Sequence, residues 1–153
     1  MAHLHFDYYS APELSVILNN NSKKLDVVMN NEANLEIASR SRGTPRIANR
    51  ILRRVRDYAL IEDHKKIEIG HVEKAMKLLD IDHLGLDTMD RKILKVIKEY
   101  YSNGPVGIDA LSATLGEDKQ TIEEVYEPFL LQEGLLLRTP RGRILSEKAI
   151  NHV

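Results

Sequence analysis

Arg42-Gly43-Thr44-Pro45-Arg46-Ile47-Ala48-Asn49-Arg50-Ile51-Leu52-Arg53-Arg54-Val55-Arg56 carries both a helix start signal and a concentrated charge. Thr44 suits an N-cap, and Pro45 suits the first helical position, where a missing N–H costs nothing. Gly43 permits a sharp turn just before it. Ile47, Ile51 and Val55 make an apolar stripe, while Arg46, Arg50, Arg53 and Arg54 share another face. Between Glu36 and Asp57 stand seven arginines and no acidic residue. Arg46 projects from the first turn, beside free backbone N–H groups and the positive end of the helix dipole. That arrangement favours an anion, a phosphate above all. A solvated basic face without a ligand is the plainer alternative.

The surrounding segments extend this helix into a domain that reads as all-helical. Ser10 caps a helix opening Ala11-Pro12-Glu13, with Leu14, Ile17 and Leu18 on one face and Leu25 beyond. Asn30 or Asn31 caps a second, with Leu35, Ile37 and Ala38 inward. The arginine helix is the third. Glu68 to Leu79 supplies the fourth, with Val72, Ala75, Met76 and Leu79 on its apolar side. A bundle this small buries a limited core and is expected to lean on a neighbour.

Composition bounds the rest. The 153 residues suffice for one domain or two small ones, and 5% aromatics against 42% hydrophobics fits aliphatic helical cores. The absence of cysteine gives no disulfide framework and no thiolate metal site, which favours an intracellular setting. No apolar run approaches the ~20 residues of a membrane span. A net charge of −1 gives no global attraction to nucleic acid, so any such attraction is local. Residues 1–82 hold 13 Lys+Arg against 12 Asp+Glu, and residues 83–153 hold 9 against 11. Between them Asp80-Ile81-Asp82-His83-Leu84-Gly85-Leu86-Asp87 loses helical periodicity and reads as a linker, giving domains 1–82 and 83–153.

The second domain has a different order of elements. Helices are expected over 87–101, 109–115 and about 119–133, the last two ending at Gly116 and Gly134. Asn103-Gly104-Pro105-Val106-Gly107 is a turn with room for one short strand pairing. Leu135 to Arg138 and Arg143 to Leu145 flank Thr139-Pro140-Arg141-Gly142, whose proline and glycine suit a type I turn. Three helices followed by a β-hairpin is the pattern of a winged helix. Its third helix and lead-in carry Glu117, Asp118, Glu123, Glu124, Glu127 and Glu133, with Lys119 alone opposing them. Six carboxylates would repel DNA, and they read as a solvated helix face. The wing instead holds Arg138, Arg141 and Arg143. Arg138 and Arg143 are expected as cross-strand neighbours, whose guanidiniums repel unless an anion bridges them. Contact with DNA is therefore expected through the wing, on phosphates or in the minor groove, so that losing Arg138 or Arg143 should weaken binding about equally across unrelated sequences.

Arg42-Gly43-Thr44-Pro45-Arg46-Ile47-Ala48-Asn49-Arg50, Asp90-Arg91-Lys92, Gly104-Pro105-Val106-Gly107 and Arg138-Thr139-Pro140-Arg141-Gly142-Arg143 together resemble the carboxy-terminal part of the RuvB family. Those proteins are hexameric AAA+ motors that drive branch migration at Holliday junctions. The resemblance runs from about Leu4 to Asn151, in order and spacing. It implies a mostly α chain, a four-helix AAA+ lid domain followed by a winged-helix domain. It places Arg46 on the sensor-2 arginine and Tyr9, in Phe6-Asp7-Tyr8-Tyr9, on a tyrosine lining the nucleotide pocket. It places Arg138 and Arg143, with Arg141 beside them, on wing arginines that hold the DNA backbone. It also implies ATP and Mg²⁺ in the full-length protein, a homohexamer, RuvA and RuvC as associates, a role in recombination, repair and the SOS response, and a cytoplasmic location.

The departure from that family is large. There is no G-x-x-x-x-G-K-[ST] to cradle phosphates and place a lysine and Mg²⁺. The acidic strand that would activate water is missing, and the arginine finger would lie upstream. The chain reads as a fragment that starts after the ATPase domain, with Met1-Ala2-His3 readable as an addition. It is expected to bind no cofactor and hydrolyse no ATP by itself. The histidines offer no closed metal-ligand set, and Asp80, Asp82 and Asp87 do not fit a calcium loop. Two other classes stay open: a free-standing winged-helix regulator, and an interaction module whose acidic helix docks a basic partner.

Overall fold

The computed structural model describes residues 9–62 and 66–153. Phe6, Asp7, Tyr8 and the histidines at 3, 5 and 64 lie outside them. The chain divides between Asp87 and Thr88.

In the first unit, α1 (Ala11–Lys24) opens with a complete capping box: Ser10 Oγ accepts from the Glu13 amide, and Glu13 accepts from the Ser10 amide. α2 (Asn31–Ser39) is capped by Asn30, and α3 (Pro45–Ile61) by Thr44, with Pro45 in its first turn. α4 (Ile69–Leu79) completes the bundle. Leu14, Leu18, Ile37, Ile51, Leu52, Val55, Val72 and Met76 fill the core. Leu35 does not; it is 56% exposed, because the turn of α2 that points inward is occupied by Ala33, Asn34, Ile37 and Ala38. The unit is also not purely helical. β1 (Val28–Met29) and β2 (Lys66–Ile67) pair in parallel, and the Asn30 amide extends the contact to Ile67 O at 2.9 Å. Two residues per strand leave no period to read in the sequence.

The segment 80–87 is an ordered turn. Asp82 Oδ1 accepts from the Leu84 and Leu86 amides at 2.9 and 3.0 Å, and Leu86 is fully buried. A Cβ on Gly85, whose φ is +83°, would lie 3.3 Å from Arg40 O, so this turn fits closely against the end of α2.

In the second unit, α5 (Thr88–Tyr100) and α6 (Ile108–Leu115) are followed by α7 (Lys119–Thr121), a π turn (Ile122–Tyr126) and α8 (Glu127–Gln132). The hairpin is β3 (Leu136–Thr139) and β4 (Gly142–Leu145), and α9 (Glu147–His152), capped by Ser146, closes the unit. Val106 bridges to Arg143 through both backbone groups, at 3.0 and 2.8 Å, adding a third short strand to the wing. The third helix of the sequence reading is thus one rod with a wide turn. Pro128 explains that turn: it has no N–H, and its ring excludes the carbonyl four residues back. The Glu127 amide accordingly reaches Ile122 O, five residues away.

Candidate functional site

Arg46 stands where the capping residues predict, exposed in the first turn of α3. The turn before it uses two left-handed residues, Arg42 (φ +57°) and Gly43 (φ +69°). Few amides remain there for a ligand. Pro45 has none, the Ile47 amide donates to Thr44 Oγ1 at 3.3 Å, and the Ala48 amide donates to Thr44 O. An anion at this corner would therefore be held mainly by side chains rather than by a cluster of N–H groups. Tyr9 is brought to the same corner, its amide donating to Gly43 O at 2.7 Å while its side chain stays partly exposed.

Arg46, Arg50, Arg53 and Arg54 line one open groove with Asn49 and Asp57. Among the described residues none of these four arginines has a carboxylate partner, whereas their neighbours do. Arg40 pairs with Glu36 at 2.6 Å, Arg42 with Asp87 at 3.8 Å, and Arg56 with Asp57 at 3.2 Å. Arg42, which looks in sequence like one more surface cation, is buried.

The wing separates its three arginines. Arg138 and Arg143 are directly opposite in the register, as the loop length requires. Their surroundings differ. Arg143 is 6% exposed, and its Nε and Nη2 reach the two oxygens of Glu127 at 2.6 and 3.2 Å, with Glu123 Oε2 at 3.3 Å from Nη2. Hydrogen bonding to Glu127 raises its pKa further above the usual arginine value, outweighing the desolvation that opposes it. Glu127 itself is 1% exposed, so the acidic helix is not simply solvated. The structure thus separates two arginines that the sequence set side by side: Arg143 is built into the fold and Arg138 is not. Arg138 is half exposed, 3.8 Å from Glu123, and Arg141 is exposed in the turn. The turn is fixed by Thr139 Oγ1, which donates to Gly142 O and accepts from the Arg141 amide. The Glu123–Glu127 pair was missed in the sequence; an (i, i+4) acid pair ahead of a basic hairpin was the signal available.

A small helical bundle whose third helix opens on an exposed arginine, followed by a winged helix with a basic wing, has the make-up of an AAA+ lid domain with a winged-helix domain after it. Family models described as the RuvB AAA lid domain and the RuvB C-terminal winged helix domain match residues 9–82 and 83–153. The chain belongs to the RuvB family. Among solved structures it is similar to the Thermotoga maritima RuvB Holliday junction branch migration motor, at 51% identity and TM-score 0.93, over 95% of this chain and 49% of that one. A substituted form of the same Thermotoga maritima protein matches at 50% identity over the same shares, again with TM-score 0.93. The chain thus spans about half the length of the structures it matches. No described helix is long and apolar enough to cross a membrane.

Proposed function

We propose that this chain acts as the lid and DNA-gripping module of an ATP-driven Holliday junction branch-migration motor. Arg46 contacts the nucleotide's phosphates as sensor-2, and Tyr9 borders the base or sugar. In the working motor hydrolysis of ATP would supply the energy of each step, with Mg²⁺ neutralising its phosphates, on a phosphate-cradling loop that this sequence does not contain. The residues present fit the phosphate end, because among the described residues none of the groove's four arginines is paired with a carboxylate, Asp57 at its edge pairing with Arg56. The motor would assemble as a homohexamer and meet its junction together with RuvA and RuvC.

The DNA contact is made by the wing, and the observation that carries this reading is the contrast within it. Arg143 is spent on Glu127, while Arg138 and Arg141 are left exposed on the hairpin. Backbone phosphates offer those cations anions without sequence information. Fluorescence anisotropy with four-way junction, duplex and shuffled duplex DNA tests this. Arg138→Ala and Arg141→Ala should each weaken binding about equally on every sequence. Each should also reduce the slope of log K against log salt by ~0.9. Normal binding by both variants would refute the wing contact. Loss on one sequence alone would turn the reading toward base recognition.

A further inference from the structure

We infer that Glu123 is an internal competitor for the wing's DNA contact: its carboxylate occupies the place of a backbone phosphate on Arg138, which exchanges one for the other on binding. This rests on the reading that the wing meets DNA.

The register sets two guanidiniums opposite each other, and like charges so placed need an anion between them. That anion is internal. A single oxygen, Glu123 Oε2, lies 3.3 Å from Arg143 Nη2 and 3.8 Å from Arg138 Nη2. Residues 123 and 127, spaced i, i+4, lie on one side of the helix and so meet the same guanidinium. The two arginines respond differently. Arg143 is buried and held by both oxygens of Glu127, so it stays. Arg138 is half exposed, at the outer limit of an ion pair, and can leave. Glu124 serves no such purpose, its carboxylate accepting from Gln120 Nε2 at 3.2 Å.

The charges give the consequence. Arg138, Arg143, Glu123 and Glu127 form a neutral set of four. When Arg138 turns to a phosphate, the three that remain carry one net negative charge beside the DNA. Glu123 therefore weakens the grip and makes it an exchange of one anion for another, which leaves the contact easy to break as DNA moves past.

The test is anisotropy on junction and duplex DNA with Glu123→Gln, and with Glu124→Gln as a control that removes the same charge one residue away. Glu123→Gln should bind about 2–5-fold tighter at low salt, the range set by an exposed ion pair, and the gain should shrink as salt rises. Glu124→Gln should gain less. In an Arg138→Ala background the gain from Glu123→Gln should fall to that of Glu124→Gln. A gain that survives in full without Arg138, or one with Arg138 present no larger than that of Glu124→Gln, would overturn the inference. So would weaker binding by Glu123→Gln, which would make the carboxylate a prop for the arginine and not its competitor. Glu123→Ala should show the same sign and serves if the glutamine form folds poorly. If Arg138→Ala alone left binding untouched, the wing contact itself would be the part that fails.

Discussion

Arg143→Ala should unfold the winged-helix unit rather than subtract one phosphate contact. The substitution strands Glu127, a carboxylate with 1% exposure that accepts from Arg143 at 2.6 and 3.2 Å. Removing one partner of a buried pair leaves an uncompensated charge and costs about 3–5 kcal/mol. Small domains hold only about 5–15 kcal/mol in total, and the unit of Thr88–Val153 is at the small end. At ~4–8 °C per kcal/mol for a domain of this size, its melting temperature should drop by roughly 12–40 °C. Thermal unfolding measures the temperature shift and urea titration the free energy, each followed by far-UV circular dichroism and tyrosine emission, the chain having six tyrosines and no tryptophan. The two units are expected to give separate transitions, and only the winged-helix one should move. Pairing Arg143→Ala with Glu127→Leu should restore most of the loss, because the buried charge goes with its partner. That double variant should also recover DNA binding with the parent salt slope. A single variant within about 1 kcal/mol of the parent, or a double variant as unstable as the single, would refute the fastening role.

Gly142→Ala should destabilise the same unit by more than ~1 kcal/mol in urea titration, since a Cβ there meets Val106 O at 2.5 Å and φ is +133°. Ser10→Ala should cost the lid about 1 kcal/mol at neutral pH by thermal melt, the usual value of a serine N-cap. Hydrogen bonds from Ser10, the backbone amide first, hold the Glu13 carboxyl below its ordinary pKa. That contribution is present above the unfolded value and lost as pH falls through the folded one, so Glu13→Gln should flatten the acid limb of a melting-temperature profile.

The lid was largely legible because its signals are local. Thr44, Pro45, Ser10 and Glu13 act within three residues of themselves, and all appear in the caps. Leu35 failed because hydrophobicity does not tell which turn of a nine-residue helix faces inward; small Ala33 and Ala38 were what the core accepted. The β1–β2 pair joins residues 38 apart through two positions per strand, too short for any pattern. In the winged helix the order of elements and the Arg138–Arg143 register followed from turn chemistry. α9, by contrast, was not anticipated, although Ser146 ahead of Glu147 is an ordinary helix opening.

The partition of the arginines was the part that needed three dimensions. A sequence shows charge, and function depends on which charges folding leaves uncancelled. Arg42 and Arg143 read as surface cations and are buried against Asp87 and Glu127. Arg46, Arg50, Arg53 and Arg54 keep their charge because α3 turns that face away from the core and the one described acid lining it, Asp57, pairs with Arg56. Arg138 lies between these cases, held loosely by Glu123. Glu123 and Glu127, one helical turn apart, both reach the Arg143 guanidinium, which builds that wing arginine into the fold and leaves Arg138 exposed. The acidic helix that seemed to argue against DNA binding is thus what sorts the cations of the wing.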